Sequence, residues 1–87
     1  MLNNTVFVGK IKGVLQNFME VDVHSKDDED KYDSIPVELS ENLYNTIYKY
    51  SNLGDLVGVK GRLANKDGRL IVIADKITLL SSMKGGD

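Results

Sequence analysis

The 87-residue sequence has no cysteine, no tryptophan, a single proline and a single histidine. Without cysteine there are no disulfides and no thiolate metal sites, so a chain of this length must be held by one small core or by oligomerisation. His24 has no second histidine and no thiol to join it, which leaves no nitrogen–sulfur set for a metal. No apolar run approaches bilayer-spanning length, and Met1-Leu2-Asn3-Asn4-Thr5 lacks the charged-then-apolar layout of a secretory signal. A cytoplasmic protein with no membrane contact is the expectation. There is also no Gly-x-x-x-x-Gly-Lys phosphate loop, no nucleophile elbow and no carboxylate pair in an apolar setting. The calcium-loop pattern fails from Asp27 onward, because Lys31 takes the fifth position and Tyr32 the place of the turn glycine. The chain is expected to be neither an enzyme nor a cofactor carrier.

What is present is unevenly distributed. The net charge is −2, which taken alone argues against a polyanionic partner. The segment Ser25–Asp33 carries Asp27, Asp28, Glu29, Asp30 and Asp33 against Lys26 and Lys31, and without it the rest of the chain is slightly basic. Lys60, Arg62, Lys66, Arg69 and Lys76 outweigh Asp67 and Asp75 over the stretch from 60 to 76. Acidity is confined to one connection, and basicity clusters elsewhere.

Periodicity divides the chain into strands and one helix. Thr5–Leu15 is rich in β-branched residues and reads as a long strand, bent where Gly9 and Gly13 interrupt it. Gln16-Asn17 predicts a tight turn. In the next strand Met19, Val21 and Val23 face the core, with Phe18, Glu20, Asp22 and His24 opposite. Tyr32–Leu39 points Ile35, Val37 and Leu39 inward, and Pro36 belongs at an edge or bulge. Ser40 predicts a helix N-cap. Leu39, Leu43, Ile47 and Tyr50 follow at helical spacing, with Tyr44 and Tyr48 widening the stripe, and Gly54 is the expected helix stop. Leu53–Leu63 then enters a strand with Val57, Val59 and Leu63 inward and Gly58, Lys60 and Arg62 outward. Asn65-Lys66-Asp67-Gly68 is a hairpin signal. The nearly continuous apolar run Leu70–Ile73 implies burial on both sides or a change of face near Ala74. Residues 1–80 are expected to form one domain and 81–87 a flexible tail.

Five strands with a helix between the third and fourth is the order of an OB-fold, a small, partly open all-β barrel. Two stretches carry a family resemblance. Leu2-Asn3 running into Val6-Phe7-Val8-Gly9-Lys10-Ile11 resembles the opening of bacterial single-stranded DNA-binding proteins. Gly54-Asp55-Leu56-Val57-Gly58-Val59-Lys60-Gly61-Arg62-Leu63 is similar to that family's Gly-Ser-Leu-Val-x-Val-x-Gly-Arg-Leu signature. The chain is also similar to primosomal replication protein N, which has a similar fold. The resemblance covers about Met1 to Leu80. It implies sequence-independent binding of single-stranded DNA by a homodimer or homotetramer, in replication, recombination or repair, with replication proteins as further partners. It also places Tyr32 where the family stacks an aromatic, and Lys10 and Arg62 at basic positions.

The chain departs from that pattern at Asn4, where a basic residue is usual, and at Glu38, near a usual aromatic. Both hairpins are short, and the tail lacks an acidic, Phe-terminated tip. Binding weaker than that of a full-length relative is the expectation. Sequence-independent binding needs cations along the backbone and aromatic faces for the bases. The candidates are Lys10, Lys12, Lys60, Arg62 and Arg69 for phosphates, with Phe7, Phe18 and Tyr32 for stacking, Phe7 being better suited to the core or a dimer interface. The rival reading is an OB-fold protein-interaction subunit, primosome-like or an accessory of a phage or mobile element, using the acidic segment as its contact.

Overall fold

Alternation at period two closes this chain into a barrel. The computed structural model describes residues 3–25, 27 and 30–80. The order is β1 Thr5–Leu15, β2 Phe18–His24, β3 Tyr32–Glu38, α1 Glu41–Tyr50, β4 Leu56–Lys66 and β5 Arg69–Leu79. The strands form a closed barrel in the order β1-β2-β3-β5-β4, the OB-fold arrangement. Neighbours are antiparallel except β3 and β5, which run parallel and pair only at Val37–Val72 and Glu38–Ile73. Pro36 immediately precedes that short ladder.

β1 serves two sides of the barrel, as its length predicts. Thr5–Lys10 pairs with β4 and Lys10–Leu15 with β2, with a bulge at Lys12 between Ile11 and Gly13. At Gly9 the strands approach so closely that a Cβ would strike the Asp22 carbonyl and the Val21 side chain. Gln16 takes a positive φ in the turn to β2, and Asp67-Gly68 make the turn of the β4–β5 hairpin, where the Gly68 amide donates to Asn65 Oδ1. The change of face in β5 is also present. Lys60 pairs with Lys76 but Gly61 with Ala74, so Asp75 is the extra residue.

Ile11, Met19, Val21, Val37, Val57, Val59 and Val72 fill the barrel, joined by Leu39 and by Ile47 of α1. Burying each such side chain contributes about 1.5–3 kcal/mol. Phe7 packs against this core rather than standing out as a platform. The Ser40 hydroxyl accepts from the Leu43 amide, capping α1 as expected.

Three local expectations need correction. The helix stops at Tyr50, where both the amide and the hydroxyl of Ser51 donate to the Ile47 carbonyl. Gly54, at φ 90°, instead shapes the turn into β4, donating to the Ile11 carbonyl. The helical stripe is also narrower than its sequence implies. Leu43 and Tyr44 pack on the core, but Tyr48 is 74% exposed and Tyr50 is exposed as well. A ten-residue helix touching one end of a barrel has room to bury about one side of one turn. Finally, Leu63 is exposed, because β4 runs past the core toward its hairpin. Its backbone is tied down by Asn3, whose side-chain amide both donates to the Leu63 carbonyl and accepts from its amide.

Candidate nucleic-acid interface

The outer wall of the barrel divides into two sectors. In the first, alternation sends Phe18, Glu20, Asp22 and His24 of β2 outward, beside their β3 partners Glu38, Pro36, Ser34 and Tyr32. Across the other ladder, Lys10 pairs with Asp22, Gly13 with Glu20 and Leu15 with Phe18. Phe18 is 38% exposed and Tyr32 47%, and the Tyr32 ring leans on His24 with centroids 4.2 Å apart. The bulge turns Lys12 toward β3, where its Nζ donates to Ser34 Oγ at 3.4 Å and the Ser34 hydroxyl donates to Asp22 Oδ1 at 2.6 Å.

Arg69, first in β5, lines a shallow depression with Leu15, Phe18, Glu20 and Pro36. Its partner across the hairpin is Lys66. Lys66 Nζ donates to Glu38 Oε1 at 2.8 Å and sits 5.7 Å from the Phe18 ring centroid, within cation–π range. The hydrogen bond to Glu38, and then the charge of Glu38, hold the Lys66 ammonium above the ordinary lysine range.

This sector therefore gathers Lys10, Lys12, Phe18, Tyr32 and Arg69 from the sequence-predicted set. Lys66 was missed there, since a residue at a hairpin turn reads as a solubiliser. Its signal was the two-residue turn Asp67-Gly68, which makes Lys66 and Arg69 partners on one face.

The second sector is the outer face of β4 with the first half of β1 and the second half of β5. Lys60 lies between Val6 and Lys76, and with Val8, Gly58 and Thr78 they line another depression. Arg62 Nε and Nη2 both donate to the Asp75 carboxylate at 3.3 Å, so its charge is locally matched. In the strand order β4 is separated from β2 by β1 on one side and by β5 and β3 on the other. Lys60 stands apart from Phe18, whereas Arg62 pairs with Ile73, the β5 partner of Glu38, and lines one depression with Glu38 and Asp75.

Among the described residues no group of His, Cys, Asp and Glu is placed to hold a metal ion, and no described helix is long and apolar enough to cross a membrane. The acidic connection is closed by the Ser25 amide donating to the Lys31 carbonyl. Its residues 26, 28 and 29 lie outside the described residues, as does the expected tail 81–87.

No protein-family model and no curated protein matches the sequence. Among solved structures the chain is similar to Rim1, a mitochondrial single-stranded DNA-binding protein of S. cerevisiae. They share 20% identity over 91% of this chain and 94% of that one, with a TM-score of 0.76. A second crystal form of Rim1 gives 22% identity, 90% and 92% coverage and a TM-score of 0.69. The chain is also similar to the N-terminal domain of the PriB protein from Thermoanaerobacter tencongensis, whose structure is dimeric. There the identity is 21%, the coverage 90% and 96%, and the TM-score 0.73. At such identities the likeness is one of fold, and the fold agrees with the one the sequence resemblance implied.

Proposed function

We propose that this chain binds single-stranded DNA without sequence preference, through the outer face of β2 and β3, as a homo-oligomer acting in replication, recombination or repair. The observation that carries the reading is an exposed Phe18 with Lys66 and Arg69 beside it and Lys12 and Tyr32 on the same wall. An aromatic face takes any base, contributing about 1–3 kcal/mol per base, and adjacent cations track the phosphates. The fold likeness to a single-stranded DNA-binding protein supports it.

Lys60, beside Val6 on β1, is left as a phosphate contact for a longer strand that wraps the barrel, while Arg62 is already matched by Asp75. The same wall supports self-association. The β1–β2 ladder begins at Lys10 and β2 crowds Gly9, so Thr5–Val8 is paired only on its β4 side and offers a strand edge with the exposed Val6 and Val8. A second copy joined there places two stacking faces on one strand of DNA, and the linked sites reinforce each other. The dimeric PriB domain is a precedent of similar fold.

The test is fluorescence anisotropy of labelled oligo-dT across a salt series. The affinity is expected to fall steeply as salt rises, by about 0.7 log units per phosphate contact per decade. No binding at the lowest salt would sink the reading and leave the OB-fold interaction subunit.

A further inference from the structure

Phe18, Glu38 and Lys66 form a unit that a simple stacking site does not need. Glu38 is the ladder partner of Phe18, so the two side chains leave neighbouring strands on the same face. Lys66 reaches both from the far end of β4, its Nζ 2.8 Å from Glu38 Oε1 and 5.7 Å from the ring centroid. The aromatic face that would receive a base thus has the chain's own cation standing over it. That cation, which would meet a phosphate, is already matched by the chain's own carboxylate. All three side chains retain solvent exposure, and an exposed pair of this kind adds little to folding. A contact of small structural value standing on the binding surface has the properties of a competitor.

Resting on the reading of this wall as a single-stranded DNA site, we propose that Glu38 is a built-in competitor for DNA. It holds Lys66 over Phe18, and binding is an exchange in which a phosphate replaces the Glu38 carboxylate on Lys66 and a base replaces Lys66 on the ring. Glu38 thereby sets both the affinity and the salt dependence of the site. A ligand that supplies only a phosphate or only a base makes half of the exchange, so the unit favours a strand whose bases are unpaired and free to turn toward Phe18.

The experiment measures oligo-dT affinity for the wild type, E38Q, K66M and the double variant E38Q/K66M. E38Q is expected to bind about three- to tenfold more tightly, with a salt slope steeper by up to about 0.7, because no freed carboxylate takes a cation back when phosphate meets Lys66. In the K66M background the same change is expected to gain little, since no cation remains to be released. Equal or weaker binding by E38Q overturns the proposal, and so does a gain that persists undiminished beside K66M, which would mark Glu38 as a general repulsive charge.

A second readout needs no DNA. The chain has no tryptophan, so F18W introduces a sole reporter at the ring position, and E38Q is expected to raise its quenching by acrylamide. Unchanged quenching shows that Glu38 does not keep the ring covered and overturns the proposal as well. The two readings separate cleanly. Absence of binding by every variant sinks the DNA reading and the competitor with it, whereas wild-type binding that E38Q leaves unaltered sinks the competitor alone.

Discussion

The two walls of the barrel are built from strands of similar alternation, yet they carry different chemistry. On the β2–β3 wall, cations stand among exposed aromatic rings and carboxylates, with Lys12 chained to Ser34 and Asp22 and Lys66 shared between Glu38 and Phe18. On the β4 wall, Lys60 and Lys76 stand among Val6, Val8, Gly58 and Thr78, the ring of Phe7 there packs against the core, and Arg62 is tied to Asp75. Rings beside cations suit bases and phosphates. Short aliphatic side chains beside a half-open strand edge suit close approach by another sheet. A count of basic residues along the chain treats both walls alike, and only the company each cation keeps distinguishes them.

Three measurements break or sharpen that comparison. The largest expected effect comes from V6E together with V8E, which places charge on the β1 edge. Light scattering should show monomers, and affinity for a long oligonucleotide should fall by about 10²–10⁴ as the linked sites separate. Affinity for an oligonucleotide short enough to occupy one barrel should be unchanged. Loss of short-strand binding as well would mean that the β4 wall itself contacts DNA.

Next comes F18A, measured on the short strand, where loss of a stacking face should weaken binding by about five- to 150-fold. K60E on the same strand should cost much less. If the two variants lose affinity equally, the assignment of bases to one wall is wrong.

The smallest effect contrasts two arginines in the salt series. R69Q should make the slope shallower by about 0.7, since it removes one phosphate contact. R62Q should leave the slope where it is, because Asp75 already matches that charge. An equal change in both slopes would place Arg62 on the DNA track.

Much of the fold was legible because strands that close on a core must alternate. Met19, Val21, Val37, Val57 and Val59 are buried where their alternation placed them, and the two tight turns fall at Gln16-Asn17 and Asp67-Gly68. Where the chain leaves the core, pattern and burial part. Leu63 keeps the inward phase of β4 but lies beyond the barrel's filled interior, and Tyr48 and Tyr50 continue a helical stripe past the turn that touches the barrel. Gly54 marks a turn that sequence alone cannot tell from a helix cap, since both favour a positive φ.

The candidate site was legible residue by residue and not as a surface. Phe18 and Tyr32 were identifiable as outward-facing, because Met19, Val21 and Val37 fix the inward phase of β2 and β3. Whether Lys60 or Lys66 stands beside Phe18 depends on strand order around the barrel and on the reach of a hairpin. Neither leaves a mark on local periodicity.

The sequence by itself determined which residues face inward, where the chain turns, and that Leu53–Leu63 enters a strand with Lys60 and Arg62 outside. These follow from backbone geometry within a few neighbours. Only the tertiary structure decided that Lys60 stands apart from Phe18, that Arg62 belongs to Asp75, and that Lys66 spans from the β4–β5 hairpin to Glu38 on β3. Those pairings join residues far apart in sequence, and it is closure of the barrel that brings them within bonding distance.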